Sequence, residues 1–237
     1  MVKKQLRKLY HVLPAGFRKG LASFGPTQRL RDRLFSQHTG LHDEYYSADY
    51  FAEEIFAIAS KTAPMFARST IEKLGMTSIV DVGCGTGDNL KAFVDAGVVG
   101  HGVDLAQAAI ELCRQKGLDV VQMDLSSGRD LPWQADLVYS IEVAEHIGEQ
   151  AAPKYVRMLT DAAKRHVILT AAPPGQPGLC HVNCQPKEYW IKLFHNQGFH
   201  YDAELTSSWE AENKEGAYPI WFSENFMVFR RNGMNDK

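Results

Sequence analysis

Short apolar runs alternate with longer segments of helical periodicity from Ser78 to the end of the chain. Runs of four to eight aliphatic and β-branched residues are typical of buried strands, whereas apolar residues at every third or fourth position are typical of helices. Strands that alternate with helices favour a mostly parallel sheet covered by helices on both faces. The pattern therefore predicts a doubly wound α/β fold.

Seven strands are predicted from this pattern, over residues 78–83, 98–103, 118–123, 136–141, 166–170, 199–205 and 222–229. Predicted helices cover residues 88–96, 106–116, 150–164 and 186–197. A further helix over residues 52–74, interrupted near Pro64, precedes the first strand. Proline and glycine residues break the pattern over residues 173–178, which predicts a long loop after the fifth strand.

Three alternating glycines, Gly83, Gly85 and Gly87, follow the first predicted strand. Glycines at alternate positions let a ligand lie against the backbone, and the free amides of the next helix can bind its polar atoms. Asp81 places a carboxylate beside this loop, where it would repel a pyrophosphate and attract an ammonium group. The third glycine comes one position too early for a dinucleotide motif, and Asp88 occupies the expected place. The loop therefore predicts a cofactor site that does not suit NAD.

The run from Asp81 to Gly87 resembles the motif acidic-x-Gly-x-Gly-x-Gly of the class I S-adenosylmethionine-dependent methyltransferases. Asp104 ends the second predicted strand near the offset of ~20 residues expected for a carboxylate that binds ribose hydroxyls. Asp124 ends the third, where family members usually contact the adenine amino group. A glycine run alone would also fit a simple strand-to-helix turn, and the two aspartates favour the cofactor interpretation.

The resemblance implies that the loop holds the methionine part of S-adenosylmethionine. It also implies a Rossmann-like seven-stranded sheet of six parallel strands and one antiparallel strand, with helices on both faces. The implied cofactor-binding residues are Asp81, Gly83, Cys84, Gly85, Gly87, Asp104, Leu105, Asp124, Leu125 and Glu142. Cys84 itself is expected to be a small apolar filler. The methyltransferase domain is expected to cover residues 43–237, after a basic helical N-terminal extension over residues 1–42.

Charge is concentrated at the start of the chain, where residues 1–33 hold nine lysines or arginines and one acid. Apolar residues recur at helical spacing within residues 2–13, so this segment could form an amphipathic helix on an anionic membrane surface. A solvated helix docked on the body of the protein is the alternative. Nucleic acid is a less favoured partner, because the remainder of the chain is net acidic.

The cysteine content and the N-terminal sequence indicate the cellular compartment and argue against a structural zinc site. The four cysteines lack the paired spacing of a structural zinc site. Free thiols and an N-terminus without a secretory signal predict a cytoplasmic protein, and contact at the inner membrane surface is expected only if the basic arm forms the amphipathic helix. No run approaches the ~20 apolar residues needed to cross a bilayer.

The most polar strand end follows the fourth predicted strand and contains Glu142, Glu145 and His146. This E-x-x-E-H arrangement resembles a subgroup that includes O-methyltransferases of quinone synthesis and small-RNA 2′-O-methyltransferases. Transfer to a hydroxyl needs a base for its proton, and the ordinary pKa of histidine, about 6.5, suits His146 to that role. Glu142 or Glu145 would bond the opposite ring nitrogen. The candidate catalytic residues are His146, Glu145 and His181.

The same strand end also suits a metal ion. Glu142, Glu145, His146 and His181 would form a set of two carboxylates and two histidines like that of the RNA-methylating relatives. Bound Mg²⁺ or Mn²⁺ would hold two substrate hydroxyls and lower the pKa of one. In a third interpretation Glu142 contacts the cofactor, while both histidines only pack or bind water.

The function favoured by the sequence is S-adenosylmethionine-dependent O-methylation of a small molecule or of a sugar or glycan hydroxyl. An RNA or protein methyltransferase with metal-assisted chemistry is an alternative. A third hypothesis, from another class, is a non-catalytic S-adenosylmethionine-binding regulatory protein.

Overall fold

The computed structural model describes residues 56–176, 178, 180–213 and 224–233. The predicted N-terminal extension and its membrane contact lie outside these residues, as do the first four residues of the helix predicted over 52–74. No helix among the described residues combines the length and the apolar character needed to cross a bilayer.

Six α-helices and seven β-strands make up the described fold. The helices are α1 (Phe56–Leu74), α2 (Asp88–Asp95), α3 (Gln107–Gln115), α4 (Ala152–Ala162), α5 (Lys187–Asn196) and α6 (Ala203–Asn213). The strands are β1 (Ser78–Val82), β2 (Val99–Asp104), β3 (Asp119–Gln122), β4 (Ala135–Ser140), β5 (Ala163–Thr170), β6 (Phe199–Tyr201) and β7 (Phe226–Arg231). A short 3₁₀ turn, Ala144–His146, follows β4.

All seven strands form one sheet in the order β3-β2-β1-β4-β5-β7-β6. The neighbours from β3 to β5 pair in parallel, whereas β7 is antiparallel to both β5 and β6. This arrangement confirms the predicted Rossmann-like sheet of six parallel strands and one antiparallel strand. The carboxyl ends of β1, β2 and β4 meet at one edge, which is where open α/β sheets bind ligands.

The core lies on both faces of the sheet because successive strand residues point to opposite sides. Val167 and Leu169 of β5 pack into a cluster with Tyr155 of α4 and Phe194 of α5. Ile168 packs on the other face, in a cluster that includes residues of α1, α2, α3 and α6. Central strands buried on both faces explain why the sequence shows nearly continuous apolar runs there.

The predicted helix over residues 150–164 was wrong at its end, because Ala163 and Lys164 already belong to β5. The Arg231 guanidinium donates to the carbonyl oxygens of Thr160 at 2.7 Å and of Ala163 at 2.6 Å. It thereby satisfies carbonyl groups that the end of α4 leaves without intrahelical partners. α4 is therefore followed directly by β5 with no loop between them, and Arg231, which is distant in sequence, stabilises this junction.

The predicted strand over residues 199–205 was also wrong, because β6 ends at Tyr201 and α6 begins at Ala203. Asp202 accepts a hydrogen bond from the Leu205 amide on its Oδ1 at 2.9 Å, as an N-cap residue does. This aspartate was a usable sequence signal. In α1 the predicted interruption is absent, since the helix continues through Pro64.

Candidate active site

The cofactor loop connects β1 to α2 at the carboxyl edge of the sheet. The amides of Gly83 and Cys84 both donate to the Val103 carbonyl, at 2.8 Å and 3.0 Å. The three glycines have positive φ angles of 82°, 50° and 76°, a region that side chains disfavour. A Cβ on Gly83 would also lie 2.3 Å from Val143 Cγ2, so the loop packs directly against the segment that follows β4.

Asp104, at the end of β2, is bound to this loop. Its Oδ2 accepts from the Gly85 amide and its Oδ1 from the Ala106 amide, both at 2.8 Å. Each carboxylate oxygen has two lone pairs, so these bonds leave the group able to accept from ligand hydroxyls. The structure places Asp104 against the glycine loop, and its ribose role stays a prediction.

Asp81 lies beneath the loop and is only 3% exposed. The Tyr139 hydroxyl donates to its Oδ2 at 2.8 Å. Burial raises the pKa of Asp81 to about 8, although the hydrogen bond from Tyr139 acts to lower it; the nearby charge of Asp104 adds to the rise. A pKa near 8 favours the protonated form of this carboxyl group at neutral pH.

Cys84 packs in the loop as the apolar filler that the sequence suggested, 7% exposed and with its Sγ 3.8 Å from Cys113 Sγ. The contact with the Cys113 thiol and burial raise the pKa of the Cys84 thiol well above its ordinary value. The Cys113 thiol also donates to the Gly85 carbonyl at 3.3 Å. These contacts help to set the shape of the glycine loop.

Residues after β3 complete the row of predicted cofactor ligands. The Met123 amide donates to the Asp104 carbonyl at 2.8 Å, which brings the two strand ends side by side. Asp124 is half-buried, and its Oδ1 accepts from the amide and hydroxyl of Ser126 at 2.9 Å and 2.6 Å. Leu125 is buried and Leu105 half-buried at the same edge. The adenine role of Asp124 stays a prediction.

Glu142 adopts a left-handed backbone conformation, with φ at 55°. Its amide donates to Thr170 Oγ1 at 2.6 Å, and Asn225 Nδ2 donates to its Oε1 at 3.3 Å. Burial raises the pKa of the Glu142 carboxyl group. Thr170 and Asn225 are contacts that sequence reasoning missed, because Thr170 ends β5 and Asn225 directly precedes β7, both distant from Glu142 in sequence.

Glu145 lies in the 3₁₀ turn and is 0% exposed. The Glu142 carboxyl group and the Ala172 backbone lie against its side chain, and the nearest imidazole nitrogen, His181 Nε2, is 3.8 Å from Oε1. Burial and the neighbouring charge of Glu142 raise the pKa of Glu145 well above its ordinary range. Two carboxyl groups in contact away from solvent cannot both be ionised without a large cost, which marks this pair as unusual.

His146 is fixed by the loop that follows β5. Its Nδ1 lies 3.1 Å from the Cys180 carbonyl oxygen, which can only accept a hydrogen bond. Nδ1 therefore carries the proton, and Nε2 is the nitrogen able to accept a proton or bind a metal. The sequence predicted a glutamate at the opposite nitrogen, whereas the structure has this backbone carbonyl.

His181 is brought to the same place because the amides of Val182 and Asn183 both donate to the Glu145 carbonyl at 2.9 Å. The rings of His146 and His181 meet edge to face, with centroids 5.1 Å apart. One ligand atom each from Glu145, His146 and His181 lies within 4.8 Å of the others. Glu142, the fourth predicted metal ligand, lies outside this group.

Gly178 makes room for the His181 ring, a role that the sequence analysis missed. A Cβ on Gly178 would lie 2.0 Å from His181 Nε2. The proline and glycine residues of this loop predicted irregular backbone, but not which side chain would occupy the space.

Comparisons with known proteins agree with this fold. Residues 79–166, from β1 into β5, match a family model described as a methyltransferase domain. No curated protein matches the sequence. The chain is similar to magnesium protoporphyrin IX methyltransferase from Synechocystis PCC 6803 with bound SAM, at 16% identity and a TM-score of 0.59, over 82% of this chain and 97% of that one.

Two further solved structures share the fold. The sugar N-methyltransferase KedS8 from Streptoalloteichus sp ATCC 53650 is 15% identical, with a TM-score of 0.61, over 78% of this chain and 92% of that one. An O-methyltransferase from neocarzinostatin biosynthesis is 18% identical, with a TM-score of 0.50, over 71% of this chain and 56% of that one. The family match and the shared fold together support an S-adenosylmethionine-dependent methyltransferase.

Proposed function

We propose that this chain transfers a methyl group from S-adenosylmethionine to a hydroxyl group of a small molecule or sugar. The observation that carries the proposal is that the glycine loop and the turn with the candidate catalytic residues lie next to each other at one edge of the sheet. The glycine loop, bound to Asp104, contacts the segment after β4 through Gly83 and Val143. That segment continues into the turn that carries His146.

S-adenosylmethionine, when bound, supplies a methyl group on a sulfonium centre. The chain's own residues would have to hold the acceptor in line with that group and remove the hydroxyl proton. His146 Nε2 has the correct protonation state for a base, because Nδ1 is held by the Cys180 carbonyl. Proton uptake at Nε2 gives an imidazolium ion, which would favour ionisation of the neighbouring Glu145 carboxyl group and be stabilised by the resulting charge.

Purified protein incubated with methyl-labelled S-adenosylmethionine and separate extracts of small metabolites, lipid-linked glycans, RNA and protein tests the proposal. We expect label in the metabolite or glycan fraction. Label in RNA or protein would instead support the alternative acceptors that the sequence left open. Binding of the cofactor with label in no fraction would contradict the enzyme and favour a regulatory cofactor-binding protein.

The proposed role of His146 as the base can be tested separately by mutation. His146→Ala should abolish methyl transfer and leave the calorimetric affinity for S-adenosylhomocysteine unchanged, because the ring is assigned to the acceptor. His195→Ala, on the exposed surface of α5, is the matched control and should retain wild-type turnover. An active His146 variant would eliminate this residue as the base.

A second candidate adds a divalent cation. Glu145 favours it, because a carboxylate that is 0% exposed and lies close to two imidazoles would be stabilised by a coordinated cation. The donor set of Glu145, His146 and His181, one carboxylate and two imidazoles, suits Mn²⁺. Such an ion would lower the pKa of an acceptor hydroxyl, and His146 would then be a ligand instead of a base.

Removal and return of the ion distinguish these two candidates. EDTA should stop the reaction and Mn²⁺ should restore it if the metal is required. Titration of Mn²⁺ into metal-free protein, followed by electron paramagnetic resonance, should show one site that Glu145→Gln weakens at least tenfold. Full activity in EDTA, with no Mn²⁺ bound, would eliminate the metal.

A further inference from the structure

Asn225 is a buried amide to which the proposed chemistry gives no role. It directly precedes β7 and is 1% exposed. Because β7 is antiparallel to β5 and Phe226 pairs with Thr170, the start of β7 lies where β5 ends. Asn225 therefore reaches the carboxyl edge of the sheet, where the predicted site lies.

The Asn225 side chain joins segments that are distant in sequence. Its Nδ2 donates to Glu142 Oε1 at 3.3 Å and to Gln176 Oε1 at 3.1 Å. An amide nitrogen carries two hydrogens, so both bonds can form at once. One side chain thus connects the segments after β4 and β5 with the residue before β7.

The contact with Glu142 suggests a function for the Asn225 amide, because Glu142 has an unusual backbone conformation at the predicted site. A left-handed backbone is unfavourable at a residue other than glycine, and such conformations persist where neighbouring contacts enforce them. Here the Glu142 amide is held by Thr170 Oγ1 at 2.6 Å, and its carboxylate by Asn225. Strained residues of this kind concentrate at binding and catalytic sites.

Glu142 is also connected to the cofactor loop through the next residue. Val143 packs so closely on Gly83 that a Cβ there would lie 2.3 Å from Val143 Cγ2. A change in the Glu142 conformation would therefore move the surface against which Gly83 rests. Contacts that fix Glu142 also fix one side of the cofactor site.

We propose that Asn225 is a positioning residue that holds the Glu142 carboxylate toward the cofactor side of the cleft, an inference that rests on the proposed function. Asn225 acts through Glu142, so its effect on cofactor binding depends on the presence of that carboxylate. A residue that only supported the fold would act independently of it.

A double-mutant cycle measures this dependence. The variants are Asn225→Ala, Glu142→Ala and their combination, and the measurement is the calorimetric dissociation constant for S-adenosylhomocysteine. We expect each single variant to bind S-adenosylhomocysteine at least fivefold more weakly than the wild type. The dissociation constant of the double variant should lie within twofold of that of the single variant with the larger loss. Asn232→Ala is the control, because this exposed asparagine contacts His200 just beyond the other end of β7 and should bind normally.

The outcomes separate this inference from the function on which it rests. Wild-type protein that binds no S-adenosylhomocysteine would contradict the proposed function. Normal binding by Asn225→Ala, or a double variant weakened by the product of the two single effects, would overturn the positioning role. If Asn225→Ala does not fold, the nearly isosteric Asn225→Asp, which lacks the amide donor, carries the same cycle with the same expectations.

Discussion

Asp104 shows how one side chain can serve both the fold and the proposed site. Its carboxylate fixes the Gly85 and Ala106 amides, each at 2.8 Å, and in the proposed function it also binds ribose hydroxyls. The sequence predicted the second role from spacing, whereas the first became visible only in the structure. A test of Asp104 must therefore separate a lost ligand contact from a disturbed loop.

Asp104→Ala should weaken S-adenosylhomocysteine binding at least tenfold, or about 1.4 kcal/mol, as measured by calorimetry. An analogue that lacks the ribose hydroxyls should bind the wild type more weakly than S-adenosylhomocysteine does. The variant should bind this analogue and S-adenosylhomocysteine with equal affinity. If the analogue loses the same affinity with both proteins, Asp104 does not contact the ribose and acts only through the loop.

At the scale of elements, the junction of β1 with α2 depends on glycine for two separate reasons. Gly83 has a φ of 82° and has Val143 in the space that a side chain would occupy. Gly97 has a similar φ of 87°, but no atom lies within 4 Å of the position that a Cβ would take there. The two positions share the backbone requirement and differ in the steric one.

Gly83→Ala should therefore destabilise the protein more than Gly97→Ala and should also weaken cofactor binding at least tenfold. Both variants are expected to lose about 1 kcal/mol or more in the free energy of unfolding, from the left-handed backbone alone. Urea unfolding and calorimetry measure the two quantities. Equal affinities in the two variants would show that contact with Val143 does not shape the cofactor site.

Elements with strong local signals were predictable, and those determined by distant contacts were not. The parallel core strands and the glycine loop follow from apolar runs and residue spacing. The end of α4 depends on Arg231, which is distant in sequence, and the conformation of Glu142 depends on Thr170 and Asn225. Asp202, by contrast, offered a local cap signal for α6 that the strand prediction overrode.

For the whole molecule, the carboxyl edge of the sheet concentrates buried acids. Burial raises the pKa values of Asp81, Glu142 and Glu145, so the folded protein holds protons that the unfolded chain releases above a pH of about 4. Stability falls with rising pH wherever the folded state binds more protons. These buried carboxyl groups therefore make their largest contribution to the free energy of unfolding at low pH, and that contribution falls as the pH rises toward neutrality.

This sign leads to a measurable slope. Between pH 5.5 and 7.5, Asp81 alone should lower the free energy of unfolding by up to about 1.4 kcal/mol per pH unit, because its folded pKa is about 8. Asp81→Asn, which can still accept the Tyr139 hydrogen bond, should flatten the slope, whereas the exposed Asp95→Asn should not. Urea unfolding across this range tests the prediction, and a slope that Asp81→Asn leaves unchanged would mean that this carboxyl group is ionised in the folded protein.

An ammonium group bound near Asp81 would favour the ionised form of this carboxyl group, so cofactor binding below pH 8 should release a proton. Calorimetry in buffers of different ionisation enthalpy can count that proton.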